Sequence, residues 1–81
     1  MGDINKMNLA DLKIGQVGII TKINIPKGEL KRHLLDMGFT KGVNVKIKKI
    51  APMGDPVNVE LRGYEIAIRK ADLKQIEVDI I

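Results

Sequence analysis

The sequence predicts a mainly β domain: a small barrel of about five strands with a short helix, residues 29–37, inserted between strands one and two. Three observations lead there. Apolar and polar residues alternate in several short runs, which marks half-buried strands. A single longer segment switches to a helical period. The apolar residues are mostly Ile, Val, Leu and Met, with one Phe, one Tyr and no Trp, so β-branched side chains are prominent.

The elements follow in order. Asn8 is placed to cap one turn through Leu9, Ala10, Asp11 and Leu12, with Gly15 ending it. Residues 16–25 are rich in Val and Ile and make the first strand. Gly18 within it suggests a bulge or a close backbone approach. Pro26 and Gly28 end that strand. Leu30, Leu34 and Met37 then recur at i, i+4 and i+7, one face of a helix. Glu29 suits its start and Gly38 its end. A helix of two to three turns cannot stand alone and must dock on the sheet.

Val43, Val45 and Ile47 alternate with Asn44, Lys46 and Lys48 in the next strand. Residues 51–56 form a turn, in which Pro52 fixes φ and Gly54 frees it. Val57, Val59 and Leu61 carry the third strand. A hairpin turn at Gly63 and Tyr64, with Gly in the first central position, leads to the fourth, where Ile66 and Ile68 point inward. Residues 70–74 make one helical turn. Ile76, Val78 and Ile80 form the last strand. Five strands at this spacing are expected to close into a barrel, SH3-like first and OB-like second, because an open sheet would leave edges prone to aggregation. Residues 1–7 are expected to be a flexible lead and residues 8–81 one barrel domain.

Composition narrows the function. The 81 residues include no Cys and no Ser, so thiolate metal sites, redox pairs and the commonest nucleophiles are missing. The acidic residues are scattered and no phosphate-cradling glycine motif occurs. The chain is read as a binding domain and not as an enzyme. No apolar run nears the ~20 residues of a membrane span. Residues 1–8 carry Asp3 and Lys6 and no signal-peptide core, which fits a cytoplasmic protein.

Net charge is +4, but residues 27–49 hold Lys27, Lys31, Arg32, Lys41, Lys46, Lys48 and Lys49 against Glu29 and Asp36. This basic stretch is either a solvated surface or a face for an acidic partner. Leu35 projects away from Leu30, Leu34 and Met37, beside Lys31 and Arg32. It is either an exposed anchor in a basic rim or a residue packed under the N-terminal extension. Lys31, Arg32 and Leu35 are therefore the candidate partner-binding residues. His33, the one histidine, and Asp36 are the candidate metal ligands. A transition metal normally takes three or four such ligands, so Fe(II) binding is not supported by spacing and no cofactor is required. Lys46 and Lys48 could meet nucleic acid phosphates, but no aromatic stands beside them to stack a base. Oligomeric state is not encoded in any motif, and a homo-oligomer is allowed.

The punctuation taken together is distinctive: Leu30-Lys31-Arg32-His33-Leu34-Leu35-Asp36-Met37-Gly38-Phe39, then Gly42-Val43-Asn44-Val45, Ala51-Pro52-Met53-Gly54-Asp55-Pro56-Val57, Arg62-Gly63-Tyr64 and Ile66-Ala67-Ile68-Arg69. The ordered set resembles the FeoA family, small cytosolic proteins of ferrous iron transport, over residues 9–78. Lys41 stands where that family often has Pro, and Leu73 where a small residue is usual. The resemblance implies an SH3-like barrel and contact with FeoB, a ferrous-iron permease with a cytosolic G-protein domain, to modulate transport. It also allows a repressor-type interaction domain, which an absent helix-turn-helix disfavours. From the residues alone, a small nucleic-acid-binding barrel is the alternative class.

Overall fold

In the computed structural model, which describes residues 7–80, strands form where the alternation places them. The order is β1 (Met7–Asn8), a 3-10 turn (Leu9–Asp11), β2 (Val17–Ile23), α1 (Glu29–Asp36), β3 (Asn44–Ile50), β4 (Val57–Leu61), β5 (Tyr64–Ile68), α2 (Lys70–Leu73) and β6 (Ile76–Ile80). All neighbours pair antiparallel, in the spatial order β1-β6-β2-β3-β4-β5. The sheet bends around one apolar cluster that includes Leu9, Ile20, Leu34, Phe39, Val45, Val59, Leu73 and Ile76.

Several expectations change. β1 is a sixth strand: Met7 pairs with Val78 and Asn8 with Glu77. The expected lead lies outside the described residues up to residue 6, while Met7 belongs to the sheet. The hydrogen-bonded ladder does not close, since β1 and β5 are its two ends. Packing joins them instead: α2, which follows β5, lies against the 3-10 turn, which follows β1. The side chain of Asn8 makes no cap bond. Asp11 reaches back and accepts from the Asn8 N–H at 3.1 Å. The β4–β5 hairpin turns on Arg62 and Gly63, with φ 50° and 85°, and Leu61 pairs with Tyr64. Both central residues are left-handed, as a type I′ turn needs, so Gly63 is second and not first.

Gly18 is the site of a close approach, not of a bulge. It is buried between β3 and β6, opposite Val45 and Ile80. The register shifts fall elsewhere, between Ile20 and Lys22 and between Ile47 and Lys49. The second leaves Lys48 and Lys49 both exposed.

α1 docks through Leu34, fully buried, and through half-buried Leu30 and Met37. Its end is a Schellman motif. The Phe39 N–H donates to the Leu34 carbonyl at 2.9 Å and the Gly38 N–H to the Leu35 carbonyl at 3.0 Å. Gly38 has φ +104°, and a Cβ there would lie 2.8 Å from Cδ of Arg62. Gly38→Ala should cost about 1–2 kcal/mol from the left-handed backbone alone. Urea unfolding checks this, and an unchanged midpoint would contradict it.

Candidate functional site

α1 presents two exposed sides. The docked stripe uses residues 30, 34 and 37, so residues one step round the helix turn outward. Lys31 and Leu35 are one turn apart on that outer side. Together with Lys27, Gly28 and Arg32 they line an open hollow of about 360 Å³. Leu35 is 42% exposed, one of several large apolar side chains left on the surface with Ile14, Met53, Tyr64 and Ile80. Its packing under the N-terminal extension concerns residues outside those described. Lys31 is half-buried and Arg32 exposed. No carboxylate pairs with Lys27, Lys31 or Arg32 among the described residues. The structure therefore brings together all three predicted contact residues, with Lys27 added.

His33 and Asp36 lie on the other exposed side, around a second hollow shared with Glu29, Leu30 and Arg32. Both are exposed. No group of three or more His, Cys, Asp or Glu suited to a metal ion occurs among the described residues. Arg32 lines the same hollow, and its positive charge works against a bound cation.

The basic strand face is less positive than the sequence suggests. Lys48 pairs with Glu60 at 3.9 Å, and Lys46 stands opposite Glu60 in the register. Phe39 is fully buried and cannot stack a base. Tyr64 is 60% exposed but sits at the hairpin, one pair beyond Glu60 and Glu65. Met53, 92% exposed at the tip of the 51–56 turn, was not marked by any sequence pattern, since a turn methionine belongs to no periodicity.

The FeoA domain model matches residues 7–80. The chain belongs to the FeoA family. A candidate Fe(2+) transport protein A of Campylobacter jejuni is 39% identical over 75 residues, covering 93% of this chain and 100% of that protein. A Porphyromonas gingivalis protein that fuses Fe(2+) transport protein A to the Fe(2+) transporter FeoB is 31% identical over 75 residues, 93% of this chain. This chain spans only 9% of that fusion. Among solved FeoA structures, iron(II) transport protein A of Clostridium thermocellum superposes with a TM-score of 0.86 at 33% identity, over 93% of this chain and 46% of that one. FeoA of Stenotrophomonas maltophilia, solved with zinc and described as a procaryotic SH3 domain protein, superposes with a TM-score of 0.77 at 25% identity, over 90% of this chain and 89% of that one. The fold is thus the SH3-like barrel of FeoA proteins, and the family ties the chain to Fe(2+) transport. No helix among the described residues is long and apolar enough to cross a membrane.

Proposed function

We propose that this FeoA domain is an accessory of ferrous iron uptake that docks on the cytosolic portion of a FeoB-type permease and modulates its transport. The observation that carries the reading is the Porphyromonas gingivalis fusion, in which a related domain and FeoB share one chain. Fusion places two modules at high effective concentration, the arrangement expected of partners that touch. The outer side of α1 supplies the contact. Leu35 fills an apolar pocket on the partner, and Lys27, Lys31 and Arg32 steer an acidic rim toward it. The cytoplasm is the compartment this requires.

Titration of the full chain against the cytosolic portion of the cognate FeoB tests the proposal. Leu35→Asp should weaken binding about 30-fold, the ~2 kcal/mol of an interface hot spot. Its melting temperature should stay close to the parent value, because Leu35 is outside the core. Absence of any association with FeoB, free or in membranes, would remove the proposal. Association indifferent to Leu35→Asp would move the contact off α1.

A further inference from the structure

Among the described residues Arg62 is the only non-glycine with a positive φ, 50°. The β4–β5 turn does not itself call for an arginine. The first central position of a type I′ turn favours Asn, Asp or Gly. A bulky side chain in the left-handed region is strained, and such strain persists only where the surroundings impose it. Those surroundings are the end of α1. A Cβ built on Gly38 would meet Cδ of Arg62 at 2.8 Å, Nε at 3.7 Å and Cγ at 3.9 Å. The arginine stem therefore lies across the residue that stops the helix.

Gly38 serves two ends at once. It takes φ +104° to end α1, and by lacking a side chain it leaves a slot for Arg62. Nε in this place also brings a positive charge to the C-terminal end of the helix, where the dipole favours one. Arg62 has no other engagement: it makes no ion pair or side-chain hydrogen bond among the described residues. α1 needs such a tie. It has eight residues, and its N-cap, Gly28, makes no side-chain cap bond. Its core contact runs along one stripe, through buried Leu34 with half-buried Leu30 and Met37. A helix held along one stripe is free to roll about its axis, and a contact across its last turn opposes that roll.

We propose that Arg62 is a positioning residue for α1: a strap from the β4–β5 hairpin that crosses Gly38, fixes the last turn of the helix, and so sets the direction in which Lys31, Arg32 and Leu35 face. The last step rests on the reading of α1 as the FeoB contact. The strap itself does not. The backbone strain at Arg62 is then the cost of placing a long cationic side chain where an Asn would end at the turn. Arg62 also borders an open hollow with Asn44, Lys46 and Gly63. Service to an anion in that hollow is the rival use of the same side chain, and the experiment separates the two.

Arg62→Asn in the full chain is the test, because it keeps the turn and removes the strap. Asn-Gly is a favoured type I′ pair, so the urea midpoint should hold or rise. Amide exchange should nevertheless quicken at least about 5-fold at Met37, Gly38 and Phe39, and stay unchanged at Val45 and Val78. The first three N–H groups are those that close the helix. Arg62→Lys keeps the stem and the charge and should preserve slow exchange. Gly38→Ala puts a methyl group where the stem lies, so its effect on this exchange and that of Arg62→Asn should not add in the double variant. Against the cytosolic portion of FeoB, Arg62→Asn should weaken binding about 3- to 10-fold, as the fraction of α1 in the competent orientation falls. Unchanged exchange at residues 37–39 in Arg62→Asn, equal quickening in Arg62→Lys, or additive effects in the double variant overturns the strap. Inorganic phosphate that shifts the amides of Asn44, Lys46 and Gly63 in the parent but not in Arg62→Asn, with exchange at 37–39 unchanged, overturns it too and assigns Arg62 to the hollow. A parent that binds FeoB no better than Arg62→Asn overturns the orienting role. A parent that does not bind FeoB removes the α1 docking reading instead, and the exchange result alone then decides the strap.

Discussion

Phe39→Ala should lower the unfolding free energy by about 3–5 kcal/mol, the largest loss expected of any single side chain in this domain. Phe39 is fully buried and heads the volume order of the core. An 81-residue chain is expected to have roughly 4–12 kcal/mol of stability, so the variant loses from about a quarter to all of it. The effect reaches beyond the cavity because of where the ring stands. Phe39 follows the glycine that stops α1, and its N–H closes the Schellman bond to Leu34. Its ring and Leu34 are both sealed in the core, and together they fix the helix on the sheet. Losing the ring should therefore also release the docking face. Urea unfolding followed by circular dichroism checks the first statement, with a midpoint shift of roughly 2 M or more for a slope near 1–2 kcal/mol/M. Phe39→Leu, which keeps most of the volume, should recover more than half of the loss. A near-wild-type Phe39→Ala would mean that the helix is anchored elsewhere.

Gly18→Val should cost about 2–3 kcal/mol by overpacking. A Cβ at Gly18 would lie 3.0 Å from both Cβ and Cγ2 of Val78 and 3.1 Å from Cδ1 of Leu12. Leu12 can change rotamer, but Cβ of Val78 is fixed to a strand that pairs with both β1 and β2. Two further methyl groups then have to enter a space already filled. Gly18→Ala is the control. It gains about 0.5–1 kcal/mol of backbone preference against the three contacts of 3.0–3.1 Å, and should cost much less than Val. The expected fall for Val, by thermal melt, is roughly 10–20 °C. An unchanged melt would show that β6 moves aside at little cost.

Much of this fold was readable from local pattern, and the failures share a cause. Val45 and Ile47, Val57 and Val59, and Ile76 and Val78 point inward as alternation requires. Leu30, Leu34 and Met37 form the docked stripe that their spacing implies. β1 was not legible, because two residues carry no period and form a strand only when β6 is there to receive them. The hairpin slipped by one residue because Gly63 can serve either central position. Pairing of Leu61 with Tyr64 decides the matter and obliges Arg62 to take a positive φ. The gap in the hydrogen-bonded ladder between β1 and β5 was not legible for the same reason, since which edges meet is a property of the assembled sheet. For the site, the outward projection of Leu35 was visible in the helical period.

The pairing of Met7 with Val78 has a mechanical corollary. Met7, which opens β1, lies beside Val78, near the end of β6, so the two ends of the sheet pairing stand close together. The direction in which a tether attached there presents α1 is then nearly independent of which end it uses. Joining the two ends and reopening the chain at the exposed Pro52–Met53 tip would keep every strand in register. Gene order within a fusion should matter little for this module, and linker length should matter a good deal.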